Sequence, residues 1–74
     1  MSIYDELFVI ARNERKEFLF TYADKPYLYN FKEGLKKSEM KKFKSEEEAK
    51  NFWIGANKNN KLEDIEIIKM SEFE

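Results

Sequence analysis

The chain has 74 residues, a net charge of −1, 39% charged and 16% aromatic residues, and neither cysteine nor histidine. That excludes disulfide frameworks, thiolate metal sites and thiol nucleophiles, and leaves any zinc site or neutral-pH acid–base pair to carboxylates, lysine or tyrosine alone. A chain this short buries only about 60% of the surface its unfolded form exposes, so the seven Phe, four Tyr and one Trp must supply most of the core of a single small domain over residues 1–74.

The first apolar run, Leu7-Phe8-Val9-Ile10-Ala11, is rich in β-formers, and Glu17 to Ala23 is a second, with Phe18, Phe20 and Tyr22 on one face. The polar stretch 12–16 between them reads as the turn of a β-hairpin. A helix over residues 3–13, opened by Ser2-Ile3-Tyr4-Asp5 as a capping box, is the competing reading. Phe-Val-Ile makes a poor helix centre, and the second run needs a partner strand, which favours the hairpin.

Asp24-Lys25-Pro26 predicts a turn, and Tyr27-Leu28-Tyr29-Asn30-Phe31 a third strand with Tyr27, Tyr29 and Phe31 on one face, ended by Gly34. Residues 35–42 hold only Leu35 and Met40 as apolar anchors, and read either as a loop or as a lysine-protected edge strand running into Phe43. The helix start that follows is clear. Ser45 can cap the first turn with Glu48 returning the bond, Glu46 to Glu48 face the positive end of the dipole, and Ala49, Phe52, Trp53 and Ala56 repeat at helical spacing. This predicts a helix over about residues 46–56 with Gly55 as a stop signal, and then a loop from Asn57 to Lys61.

Leu62 to Met70 reads as a last strand with Ile65 and Ile67 on one face and Ile68 and Met70 on the other, a pattern typical of a strand interior to its sheet, followed by a frayed tail from Ser71 to Glu74. The expected architecture is α+β: a small antiparallel or mixed sheet in the order β-β-β-(β)-α-β, with the helix packed on one face. One helix covers one face only. Either the sheet curls round its own core or an apolar face remains for a partner, which a second copy of the chain could supply.

Phe43 to Phe52 resembles the F-x-S/T-x-E-E-A-x-x-F segment of several small domains, among them the viroplasmin-like N-terminal domain of some ribonucleases H, which implies binding to duplexes containing RNA. The resemblance is confined to residues 42–52 and consists mostly of the capping box. The basic and aromatic binding loop of that family has no counterpart here, so no family is assigned and no residue role is carried over.

Charge is unevenly distributed, +3 over residues 1–44 and −4 over residues 45–74, and the basic excess is concentrated in Lys32, Lys36, Lys37, Lys41, Lys42 and Lys44. Beside the Tyr27, Tyr29, Phe31 row these lysines could bind nucleic acid, the rings stacking on bases and the ammonium groups meeting phosphates. Against that stand the scarcity of arginine, the negative net charge and the lack of any RNP-type motif. The carboxylates at 46–48, 63, 64 and 66 could hold a hard cation, but the first three are explained by the helix start and no D-x-D-x-D-G loop accompanies them.

Trp53, next to Phe52 and Ile54, is a candidate interface anchor or a core residue. No phosphate-cradling loop or nucleophile elbow is present, no cofactor is implied, and no run reaches the ~18 apolar residues of a membrane span. Met1 to Glu6 carry no basic start of the secretory type, so a cytoplasmic location is expected. The leading expectation is a non-enzymatic protein-binding module acting on a larger protein, of the kind phages and other mobile elements use to inhibit host proteins such as defence nucleases. Nucleic-acid binding is the alternative. The candidate partner-binding residues are Tyr27, Tyr29, Phe31, Lys36, Lys37, Lys41, Lys42 and Trp53.

Overall fold

A computed structural model of the chain describes residues 6–72. Four antiparallel strands, β1 (Phe8–Arg12), β2 (Glu17–Tyr22), β3 (Lys25–Glu33) and β4 (Glu66–Lys69), form one sheet in the order β3-β2-β1-β4, with a single α-helix, α1 (Glu46–Ala56), between β3 and β4 in the chain. This is the α+β architecture expected.

The β1–β2 hairpin forms, and the strand at 8–12 replaces the competing helix over those residues; positions 3–5 of that helix lie outside the described residues. Its turn is unusual. Asn13, Glu14 and Arg15 all take left-handed backbone angles (φ 56°, 59° and 66°), a conformation that costs a side-chain-bearing residue roughly 1–2 kcal/mol.

The next turn is Ala23–Asp24, shorter and earlier than the Asp24-Lys25-Pro26 signal suggests, because Lys25 already pairs with Tyr22. The register then jumps to Thr21 against Tyr29, so Pro26, Tyr27 and Leu28 bulge out of the ladder. Proline, which cannot donate to a ladder, is tolerated there because β3 is an edge strand. Gly34, at φ 72°, ends the strand as expected.

Both faces of the sheet carry a core. Ile10, Leu19 and Phe43 meet Ala49 and Trp53 of α1, with Phe8, Tyr29, Phe31, Phe52, Ile65 and Ile67 packed around them. On the other face Val9, Ala11, Met40, Ile68 and Met70 form a second cluster, joined by Leu7, Phe18 and Leu35. This corrects the reading of the last strand, which is short, preceded by a 3₁₀ turn at Leu62–Asp64, and sits at the sheet edge. Its two apolar faces reflect a sheet covered on both sides, not an interior position.

Residues 35–42 are no edge strand. Beyond Ala11–Phe18 the strands β1 and β2 stop pairing, and this segment fills the gap: Lys41 N–H donates to the Leu19 carbonyl (3.0 Å), and Phe43 exchanges two 2.8 Å bonds with Phe8. Met40 is buried on one face and Phe43 on the other, so the chain passes between the splayed strands from one side of the sheet to the other.

In α1 the Ser45 side chain accepts from the Glu48 N–H at 3.1 Å, so one half of the expected capping box forms, and Glu48 itself stays exposed. Glu46 and Lys50 form the i,i+4 pair at 3.9 Å. The helix runs through Gly55 and stops at Asn57, whose side-chain oxygen accepts from the Asn59 N–H (2.9 Å) while its carbonyl accepts from Asn60 (3.0 Å). A side-chain turn thus ends the helix in place of a glycine cap. Ala56, expected in the buried stripe, is exposed. Of the predicted frayed tail, Ser71 and Glu72 lie in a 3₁₀ turn begun by Met70, and positions 73–74 lie outside the described residues. No helix among the described residues is long and apolar enough to cross a membrane.

Candidate functional site

The residues singled out from the sequence divide between two surfaces. On the helix side, Tyr29 and Phe31 set their ring edges against Trp53 at centroid distances of 5.6 and 5.7 Å, and 6.4 Å from each other. Trp53 is 5% exposed, and its indole Nε1 donates to the Lys61 carbonyl at 2.8 Å. Asn60 Nδ2 donates both to the Trp53 carbonyl (2.8 Å) and to the Tyr29 hydroxyl (3.3 Å). The loop after the helix is therefore tied to the helix and to β3 at once. Trp53 is a core residue. The exposed apolar side chain beside it is Ile54, at 50%.

Phe31 is half-buried, with the Arg12 guanidinium 3.9 Å from its ring centroid and Arg12 Nε bonded to Glu17 at 2.8 Å. The row of Tyr27, Tyr29 and Phe31 is thus not one open platform. Tyr27 alone stands out, 72% exposed, because the bulge lifts it from the ladder.

Lys36 and Lys37 are on the opposite face of the sheet. They stand with Arg15 at the rim of a groove of about 380 Å³ whose floor is Phe18, Leu35, Met40 and Ile68. Lys41 and Lys42 belong to the segment between the splayed strands, and both are half-buried. The Lys41 ammonium lies 5.6 Å from the Phe43 ring centroid. Lys42 Nζ donates to the Met40 carbonyl at 3.0 Å, and burial pushes its pKa below the ordinary lysine value. The structure therefore separates Lys36 and Lys37 from the half-buried rings of Tyr29 and Phe31, while Lys41 stays on the helix side beside Phe43. Among the described residues no group of three or more acidic side chains is placed to hold a metal ion.

Two features escaped the sequence. Leu28 is 43% exposed next to Tyr27, with Tyr22 41% exposed at the other end of the same turn and in edge contact with Phe20 at 5.4 Å. Strict alternation assigned Leu28 to the face opposite Tyr27, and nothing local announces the bulge. The groove was also missed, although Leu35 and Met40, isolated among lysines, were its signal.

Compared with family models, with curated proteins and with solved structures, the chain matches none of them. Fold and surfaces together define a small antiparallel α+β protein with an exposed aromatic hairpin end and, on the far face, an apolar groove rimmed by cations.

Proposed function

We propose that this chain is a non-enzymatic protein-binding module that covers part of the surface of a larger cytoplasmic protein through the bulged end of the β2–β3 hairpin. The observation that carries this reading is the exposure of Tyr27, 72%, and of Leu28 on the edge strand β3, with exposed Tyr22 ending β2 across the turn. Tyrosine is over-represented among the residues that dominate binding energy at interfaces. An edge strand also offers main-chain donors and acceptors to an added strand, here along the regular part of β3 from Tyr29 to Glu33, since Pro26 and the bulge blunt the edge near the turn. Inhibition of a host protein by a phage or mobile-element accessory product is the narrower form of the proposal, and its support is size and composition.

Full-length protein should retain one stoichiometric partner from a lysate of its source cells. Tyr27→Ser combined with Leu28→Ser is expected to weaken that complex by about thirtyfold or more, whereas Lys36→Glu, at the groove rim, leaves it intact. Retention by the double variant, or a dilution-stable monomer that captures nothing, would sink the proposal. If sedimentation shows a dimer that the double variant disperses, the partner is a second copy. Tight, salt-steep binding of oligonucleotides in fluorescence anisotropy would replace this reading with the nucleic-acid one.

A further inference from the structure

The groove on the face away from α1 combines two properties that no single protein element here explains. Its floor is apolar and comes from three places in the chain: Phe18 on β2, Leu35 and Met40 on the crossing segment, and Ile68 on β4. Its rim is cationic, with Arg15 from the β1–β2 turn and Lys36 and Lys37 from the start of the crossing segment; none of the described residues lining it is acidic, and the nearby carboxylates of Glu66 and Glu39 are bonded to Arg15 and to the Lys36 backbone N–H. At about 380 Å³ it falls in the range of sites for small molecules, roughly 300–1,000 Å³.

We infer that this groove binds an aliphatic monocarboxylate, with the alkyl chain on Phe18, Leu35, Met40 and Ile68 and the carboxylate between Arg15 and Lys36. This goes beyond the protein-binding reading and uses residues other than Tyr22, Tyr27 and Leu28. The charge pattern selects the ligand: an apolar floor alone would take any hydrocarbon, and cations alone would take phosphate, but only an anion with an alkyl chain uses both. Arg15 is positioned for this role. Its Nε donates to Glu66 at 2.8 Å in a half-exposed pair, and the guanidinium carries further donors for a second carboxylate.

The test uses the full chain and methyl NMR at Leu35, Met40 and Ile68, titrated with octanoate, decanoate, 1-decanol and decyltrimethylammonium below their aggregation limits. Saturable shifts at these methyls are expected, with affinity rising about tenfold from octanoate to decanoate as two more methylenes are buried. Decanoate should bind about fivefold to tenfold more tightly than decanol at low salt, and the difference should shrink as salt is raised.

Lys36→Glu, an exposed change, should weaken decanoate about tenfold while leaving decanol within about twofold. Leu35→Ser should weaken both. Equal affinity for decanoate, decanol and decyltrimethylammonium would reduce the groove to an unselective apolar patch and overturn the inference. So would the lack of saturable shifts, or a clear preference for a capped acidic-aliphatic tetrapeptide, which would make the groove a protein contact. These outcomes are independent of whether Tyr27 and Leu28 bind a partner.

Discussion

At Trp53 the indole packs against Tyr29 and Phe31 while Nε1 holds the Lys61 carbonyl. A domain of 74 residues has about 4–11 kcal/mol of stability in total. Trp53→Ala, at about 3–5 kcal/mol, should therefore remove a large share of it, seen as a collapse of the urea midpoint. Trp53→Phe keeps most of the packing and loses one bond, about 1 kcal/mol. Equal losses for the two variants would show that the bond, not the ring, holds this corner together. Asn60→Ala deletes both of its side-chain bonds and should cost about 1–2 kcal/mol in the same assay, and Ser45→Ala about 1 kcal/mol through the lost cap. Ser45 was legible in the sequence because a helix cap involves only residues three apart. The burial of Trp53 was legible from its place in the helical stripe with Ala49 and Phe52, but what closes over it was not, because Tyr29 and Asn60 are set by the sheet and by the loop after the helix.

Element signals are local where they are periodic and non-local where they depend on pairing neighbours. The β1–β2 hairpin, the helix from Glu46 and the strand end at Gly34 follow from local preferences. The helix end does not, since Gly55 lies within the last turn and Asn57 stops it. The bulge at Pro26 to Leu28 and the edge position of β4 also depend on pairing partners.

Two substitutions probe the backbone directly. Glu14→Gly, in the left-handed run of the first turn, should stabilise by about 0.5–1 kcal/mol, the relief of side-chain strain less the greater freedom of glycine in the unfolded chain. Gly34→Ala meets no atom within 4 Å of the added Cβ, yet its φ of 72° should still make it about 1 kcal/mol less stable. Thermal unfolding of both variants, with Glu14→Gly raising and Gly34→Ala lowering the midpoint, tests the assigned turn geometry.

At the scale of the whole molecule, the passage of residues 40–43 between β1 and β2 joins the two faces of the sheet. Amides in a connection usually exchange quickly, but those of Lys41 and Phe43 donate to the Leu19 and Phe8 carbonyls. Hydrogen exchange should find them protected to the same degree as β1; fast exchange at both would mean that β1 and β2 are not held apart by this segment. The same passage explains why the second apolar face is not left whole for a partner. Leu35 and Met40 close much of it, and what stays open is the groove.

The sequence by itself determined the α+β class, the hairpin, the cap and the start of the helix, and the lack of thiol and imidazole chemistry, because each depends on residue type or on spacing within a few positions. Only the tertiary structure decided which aromatic rings are buried, which strand is the edge, and that Lys36 and Lys37 lie on the other face from Tyr29 and Phe31. Those outcomes are set by pairings between distant segments, whose register a bulge or a splayed pair of strands can shift without leaving a local mark.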